Sequence, residues 1–218
     1  NGLLTLLSDA SSTGYIGPIP TGHFVTGEVE VQRFIATTTG YNQLASPIQN
    51  TTLEMWDDDL ITSGFSGSDF PTFPFVNVQN YDETVFGDKD NFGWIDATSI
   101  TETVETGTGR MVYLGPSSNV MFDAQGTINQ GSVVFNLTYT DDPGQPASQD
   151  GWNMVGNPFP CTIDWLAPTG WTKTNLNNAV QVWRADPNQF ATFVNGVATN
   201  GGSRYIPSLQ GCWVQSNA

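Results

Sequence analysis

The stretch at residues 151–165 constrains the fold more than any other part of the sequence. It reads Gly-Trp-Asn-Met-Val-Gly-Asn-Pro-Phe-Pro-Cys-Thr-Ile-Asp-Trp. Residues 152–155 have the composition of a short strand. Pro158 must end this strand, because proline has no amide hydrogen for a ladder and keeps the preceding residue extended. Pro160 fixes a second bend, and large apolar side chains surround both prolines, so the stretch predicts a rigid corner pinned into a hydrophobic core.

Strand patterns fill most of the remaining chain, and no convincing helix of ten or more residues occurs. Residues 28–32 alternate apolar and polar side chains, which is typical of a half-buried strand. Residues 120–122 with 132–140 predict one hairpin and residues 180–184 with 190–194 a second, followed by a strong turn signal at Asn195-Gly196. The sequence therefore predicts an all-β fold, an antiparallel β-sandwich that is jelly-roll-like and carries long irregular loops.

Composition shifts suggest where the chain divides. Residues 1–24 form an apolar strand and a linker, and residues 25–218 form the sandwich, whose halves at 25–142 and 150–218 are joined by a segment rich in Pro and Gly. The halves could be two subdomains. We expect one continuous sandwich, because each half alone has too few strands to cover its core.

The first strand presents a choice between two partners. Leu3, Leu4, Leu6 and Leu7 are too apolar for a solvent-exposed edge strand. They pack either into the sandwich of their own chain or into a neighbouring copy by strand addition. The second arrangement, repeated head to tail, would build an extracellular filament.

The charge balance excludes several partners. Lys and Arg number 6 against 21 Asp and Glu, which gives a formal net charge of -15. Phosphate backbones and anionic membrane surfaces would be repelled, so nucleic acid is not an expected partner. No apolar run approaches the ~20 residues of a membrane span, so membrane insertion is not expected either.

Catalytic constellations are missing from the sequence. His23, which is the only histidine, has no nucleophile-elbow motif to serve. A structural zinc site needs about four Cys or His ligands, whereas the chain has three such residues in total. Close pairs of carboxylates will arise by chance among 21 acids. We therefore expect no enzyme and no required cofactor.

Acidic loops leave calcium as an optional ligand. Residues 88–93 resemble an acidic calcium loop superficially, but Phe92 occupies a ligand position and Ser99 stands where a bidentate Glu belongs, so the loop is not an EF-hand. An irregular calcium site remains open beside the alternative of solvated loops. Its candidate ligands are Asp57, Asp58, Asp59, Asp82, Glu83, Asp88 and Asp90.

Seven Trp residues raise the possibility of carbohydrate binding, because an exposed aromatic face can stack on a sugar ring. Trp56 and Trp94 lie beside the acidic loops and are the candidate ligand aromatics. Trp171 is undecided. Core packing is the better interpretation of the others, which are Trp152, Trp165, Trp183 and Trp213.

Several strings follow one another in a recognisable order. They are Leu4-Thr5-Leu6-Leu7-Ser8-Asp9-Ala10, Ile16-Gly17-Pro18, the strand at 27–35, Ser46-Pro47, the corner at 151–165, and Ile206-Pro207 followed by Gln210-Gly211-Cys212-Trp213-Val214. Together they resemble a module of large secreted surface proteins of the Bacteroidetes type. The resemblance implies export by the type IX route and a non-catalytic role in adhesion or surface structure, and it supplies no catalytic residues.

In an exported chain, the two cysteines predict a disulfide. Cys161 and Cys212 stand at positions that are usually not cysteine in such modules, and two lone cysteines are explained most simply as partners. The bridge would close a loop of ~50 residues and contribute about 4 kcal/mol before strain is deducted.

These observations lead to one functional hypothesis and one alternative. The hypothesis is a non-catalytic structural or adhesive module of a secreted cell-surface protein, which could be a subunit of an extracellular filament. The alternative is a carbohydrate-binding module of a secreted multidomain protein, with polysaccharide as its partner.

Overall fold

The computed structural model describes residues 2–36, 39–115 and 119–217, which form fourteen strands and one short helix. The strands are β1 (Leu4–Leu6), β2 (Val29–Ile35), β3 (Gly40–Leu44), β4 (Val78–Tyr81), β5 (Trp94–Asp96), β6 (Arg110–Leu114), β7 (Val120–Gly126), β8 (Trp152–Gly156), β9 (Ile163–Asp164), β10 (Ala179–Arg184), β11 (Gln189–Val194), β12 (Val197–Thr199), β13 (Tyr205–Ile206) and β14 (Gly211–Gln215). The helix α1 is Glu54–Asp57. The expected all-β sandwich with long irregular loops is confirmed.

The strands pair into three main sheets and one ribbon. The first sheet has the order β1-β2-β7, the second β3-β6-β4-β5 and the third β12-β11-β10-β14-β8, while β13 and β9 form the ribbon. Pairing is antiparallel throughout except between β1 and β2, which run parallel.

The second sheet lies between the other two and is covered on both faces. Successive side chains of a strand point to opposite faces, and β6 shows the consequence. Val112 and Leu114 join the core that the second sheet shares with the first, whereas Met111 joins the core shared with the third sheet, where it packs with Met154 and Trp213. The sandwich therefore has three layers of sheet and two internal cores.

The core between the first and second sheets also receives side chains from loops. Trp56 of α1 is fully buried and meets Phe122 of β7 edge to face, with ring centroids 5.3 Å apart. Ile48 and Ile128, from irregular segments, close the same core. Aromatic pairs in this geometry add about 1 kcal/mol beyond the area that they bury.

The N-terminal strand packs into the sheet of its own chain. Leu4 pairs with Val29 and Leu6 with Val31, and the side chain of Leu6 is 7% exposed. Leu3, Leu4 and Leu7 are exposed, so the sheet of the same chain covers only one of the four leucines. A single inward-facing residue anchors a three-residue edge strand of this kind. Assembly into a filament stays a prediction.

One expected hairpin forms and the other does not. β10 and β11 pair from Ala179↔Val194 to Arg184↔Gln189, and the turn Asn195-Gly196 leads from β11 into β12, as predicted. The hairpin of 120–122 with 132–140 is wrong. β7 pairs instead with β2, from Val29↔Gly126 to Ile35↔Val120, and the segment 132–140 is irregular.

We expect Leu6→Ala to destabilise the protein by about 2 to 4 kcal/mol, because the lost methyl groups leave a cavity in the first core. Leu7→Ala is the matched control: its side chain is 68% exposed, so its effect should stay within about 0.5 kcal/mol. Urea unfolding of the two variants measures the difference. Equal effects would mean that β1 does not pack in its own chain.

Candidate functional site

The outer face of the third sheet carries a concave feature that is open between two loop segments. The face carries the apolar side chains of Val155 from β8 and of Cys212 and Val214 from β14, which are buried, and Ile163 and Ile206 of the ribbon of β9 and β13 pack into the same cluster. Two irregular segments, 131–137 and 165–176, lie over it and leave a cleft of about 870 Å³ between them. We call this feature the outer cleft. Ligand sites in proteins usually have volumes of about 300 to 1,000 Å³.

The first wall of the outer cleft is the segment 131–137. Phe135 and Leu137 turn inward and pack against the apolar floor, while Val134 between them is 76% exposed. The segment also rests on Gly107, where a Cβ atom would lie 3.1 Å from a ring carbon of Phe135. Gly107 has φ of +87°, a conformation that favours glycine, so both the backbone and the close approach require this residue.

The second wall is built from two tryptophans and one lysine. Trp165 and Trp171 meet edge to face with ring centroids 5.3 Å apart, and the indole N–H of Trp171 donates to the carbonyl of Asp164 at 2.7 Å. The Nζ atom of Lys173 lies 3.6 Å from the ring centroid of Trp165 and 5.2 Å from that of Trp171. It also donates to the Trp165 carbonyl. These cation–π contacts hold the ammonium group against the two indole rings of this wall.

Two polar groups of this wall have distinctive surroundings. Burial lowers the pKa of Lys173, and the charge of Asp164 opposes that shift. The side chain of Trp165 is 2% exposed, and its indole N–H has no hydrogen-bond partner among the described residues. A buried donor without a partner costs about 1 to 3 kcal/mol.

The carboxylate of Asp164 is held by Arg204 at the rim of the outer cleft. Nε and a terminal nitrogen of Arg204 each donate to one carboxylate oxygen at 2.6 Å. These hydrogen bonds lower the pKa of Asp164 and raise that of Arg204. Because the guanidinium takes both oxygens in a fork, Lys173 is left without a hydrogen-bonded carboxylate in the described part of the chain.

The predicted corner forms and closes one end of the outer cleft. The side-chain amide nitrogen of Asn157, a fully buried residue, donates to the backbone carbonyls of Cys161, Ile206 and Pro207 at 2.7 to 3.0 Å. Gly156, just before it, leaves no room for a side chain, since a Cβ atom would lie 2.2 Å from that of Ala45. The corner is therefore fixed by hydrogen bonds and by close backbone packing.

The predicted disulfide is wrong, because both cysteines are free. Cys212 of β14 is paired with Val155 of β8 and points into the floor of the outer cleft. Cys161 lies in the corner, where Asn157 holds its carbonyl. Two cysteines can bridge only when their Cβ atoms face each other at about 4 Å, and the thiols of Cys161 in the corner and Cys212 in β14 are unpaired.

The predicted ligand aromatics are not exposed platforms. Trp56 is 1% exposed, because it faces the first core from α1 rather than the acidic loop that follows. Trp94 of β5 is partly buried and meets Tyr81 and Trp213 edge to face, at centroid distances of 5.3 and 5.8 Å. Neither ring offers an open flat face with a coplanar neighbour.

The predicted metal ligands form no group of three that could hold an ion in the described residues, and several already accept hydrogen bonds from the protein. Asp59 accepts from the backbone of Asp123 at 2.6 Å. Glu83, which is buried, accepts from Thr140 and Gly151 at 2.7 to 3.0 Å. The other acids also bond locally: Asp57 to Thr62, Asp82 to Thr84, Asp88 to Asn91 and Asp90 to Lys89. Asp58 is exposed.

No group of three or more His, Cys, Asp or Glu side chains that could hold a metal ion occurs in residues 2–36, 39–115 and 119–217. Calcium binding stays a prediction. The outer cleft is the feature that sequence reasoning missed, because the corner, the segment 132–140, Trp171 and Cys212 are separate in the sequence and no pattern links them into one site. Trp171 and Lys173, which lie two positions apart, were the available signal: alternate residues of an extended segment share a face.

We expect two reactive thiols per chain in denaturing urea without reductant, because both cysteines are free. In the native protein Cys212 should resist a thiol reagent, since burial raises the pKa of its thiol to about 12 and leaves almost no thiolate at neutral pH. Thiol titration with mass spectrometry checks both statements. A chain that reacts only after reduction would restore the disulfide.

We expect Asp59→Asn to raise stability at pH 7.5 and to lose that effect as the pH falls toward 4. Burial raises the pKa of Asp59 to about 6, and the neighbouring charges of Asp123, Asp58 and Glu30 act in the same direction. The stabilisation from protonating Asp59 is thus complete below its unfolded value of 3.8 and is lost as pH rises through about 6.

Asparagine removes the charge and keeps an oxygen that can accept from Asp123. Urea unfolding at pH 4 and pH 7.5 measures the effect, with Glu54→Gln on the exposed side of α1 as the control. A difference between Asp59→Asn and wild type that is the same at both pH values would contradict the shift.

Comparisons with known proteins supply no relative. No protein-family model, curated protein or solved structure matches the chain. Within the described residues, no helix is long and apolar enough to cross a membrane.

Proposed function

We propose that this chain is a non-catalytic adhesive module of a secreted surface protein and that the outer cleft is its recognition site. The observation that carries the proposal is an apolar cleft of about 870 Å³ on the outer face of the third sheet, between the segments 131–137 and 165–176. Binding sites are typically concave and mostly apolar, with a few polar groups that fix orientation. The motifs shared with secreted surface modules support the secreted setting.

The titratable groups that line the outer cleft support binding over catalysis. They are Asp164, Lys173 and Cys212. Arg204 occupies both oxygens of Asp164, and the Cys212 thiol, with its pKa raised to about 12, is not a nucleophile at neutral pH. A nucleophile with an adjacent base, or two positioned acids, would be needed for the common hydrolytic mechanisms. His23 is exposed and is not among the residues that line the cleft.

Carbohydrate binding is the second candidate function, and one observation favours it at the same place. Trp171 is only partly buried, and the hydroxyl-bearing residues Thr169, Thr172 and Thr174 also line the outer cleft. A ring beside hydroxyl groups is a common arrangement for sugar recognition. In this form of the alternative, Trp171 replaces Trp56 and Trp94 as the ligand aromatic.

We expect anilinonaphthalene sulfonate, an aromatic anion, to bind the folded protein saturably at one site in the outer cleft. Phe135→Ala and Trp171→Ala should each weaken binding about fivefold or more, because each removes an aromatic contact from one wall. Fluorescence titration gives the affinity. A glycan array with Trp171→Ala tests the carbohydrate alternative, which requires saccharide binding that disappears with this ring.

Trp183→Ala is the matched control for both experiments. Trp183 is also partly buried and also meets an aromatic ring edge to face, since it lies 4.9 Å from Phe190, but it is not among the residues that line the outer cleft. Binding that is lost equally in Trp171→Ala and Trp183→Ala would place the ligand elsewhere and refute the site. Circular dichroism establishes that each variant is folded before its affinity is compared.

A further inference from the structure

We propose that the outer cleft is a strand-addition site for an extended, apolar partner polypeptide that carries a carboxylate beside its apolar side chains. The partner lies along residues 132–137, forms main-chain hydrogen bonds with them and sets its carboxylate against Lys173. The inference rests on the proposed function and adds to it the chemistry of the partner.

The main chain of residues 132–137 is unpaired. No backbone N–H or C=O group of this segment bonds to another residue in the described parts of the chain, and hydrogen bonding resumes only at Thr138, which exchanges two hydrogen bonds with the side chain of Asn153. Alternating exposure along the segment indicates extended backbone. An extended segment with free N–H and C=O groups is a template for a strand from another chain.

The free edge of this segment borders the outer cleft. Ser132, Val133, Val134 and Phe135 all line the cleft, although their side chains point alternately inward and outward. In an extended chain the side chains of consecutive residues face opposite directions. A cleft that is lined by several consecutive residues therefore lies along their main-chain edge. A strand laid in the cleft would therefore run beside this edge, with alternate side chains over the apolar floor.

Lys173 supplies the charge that the partner must complement. Its ammonium group has three donors, and the described chain uses one of them, toward the carbonyl of Trp165. Asp164, whose charge acts on Lys173, is already taken by Arg204. A carboxylate would be repelled over most of a chain with a net charge of -15, so the position of this lysine determines where an acidic side chain of the partner lies.

The six-residue length of the edge defines the probe. At about 3.3 Å per residue, six residues span about 20 Å, which fits a hexapeptide. We would titrate acetylated and amidated peptides with the sequences Leu-Thr-Val-Thr-Leu-Asp and Asp-Leu-Thr-Val-Thr-Leu into the protein by calorimetry. Two modified versions complete the set: one carries Asn in place of Asp, and one carries N-methyl groups on alternate residues, which remove the donors of one edge.

We expect at least one of the two acidic peptides to bind, with a loss of tenfold or more on N-methylation of that peptide. The Asn version should bind several-fold more weakly to wild type, and this preference for Asp should vanish in Lys173→Met and persist in Lys173→Arg. Arg184→Met, which removes an exposed cation that is not among the cleft residues, should keep the preference. Hydrogen exchange should show new protection of the amides at 133–136 when the peptide is bound.

The outcomes separate this inference from the proposed function. If the N-methylated peptide binds as well as its parent, or if no peptide binds while anilinonaphthalene sulfonate still binds in the outer cleft, strand addition is refuted and the recognition site stands. If neither peptide nor probe binds, both are refuted. An Asp preference that survives Lys173→Met refutes the assigned role of the lysine alone.

Discussion

The architecture depends on the need to bury both faces of the second sheet. A sheet that shares one core with the first sheet and another with the third must alternate two kinds of apolar contact along each strand, as Met111 and Val112 do on β6. The third sheet must also bury apolar side chains on both of its faces. Its inner face is satisfied by the second sheet, and its outer face, with Val155 and Val214, must be covered by whatever chain remains. That chain consists of the ribbon of β9 and β13 and the irregular segments 131–137 and 165–176, and the outer cleft lies between these two segments.

Buried polar side chains hold the irregular segments where no strand ladder exists. Glu83 accepts hydrogen bonds from the backbone of Thr140 and of Gly151, so one carboxylate fastens the end of the cleft wall to the start of β8. Hydrogen bonds to a charged group contribute about 1.5 to 3 kcal/mol each. Asn157 does the same for the corner and β13, with a neutral amide. Loss of either side chain would leave several buried backbone groups unpaired at once.

Local pattern was sufficient for strands whose partner is close in sequence. The hairpin of β10 and β11 follows from alternation and a turn signal, and the alternation of β2 gave its buried face correctly. The predicted strand at 132–140 has the same alternation and is irregular, because alternation reports which side chains are buried and says nothing about a neighbour for the backbone. The segment turns Phe135 and Leu137 inward without meeting a strand edge.

The errors at single residues have a related cause. Trp56 and the two cysteines were interpreted from their neighbours in sequence and from residue type, whereas the three-dimensional environment decided their roles. Whether a tryptophan faces solvent or two thiols meet depends on pairings between distant segments, such as Cys212 with Val155. The candidate site has the same origin, since its two walls and its floor come from three separate parts of the chain.

The wrong strand prediction and the candidate site are two aspects of one physical fact. Residues 132–137 have the side-chain pattern of a strand and lack the pairing of one, so their backbone groups must bond to water or to another chain. Natural proteins usually place a charge on such an edge or cover it, which prevents pairing with another chain. Here the edge is uncharged and adjoins an apolar cleft. The ammonium group of Lys173 lines this cleft and uses one of its three donors, toward the carbonyl of Trp165. Solvent satisfies only the hydrogen bonds of the edge, whereas an extended peptide with a carboxylate would pair with the edge, complement the charge of Lys173 and place apolar side chains in the cleft.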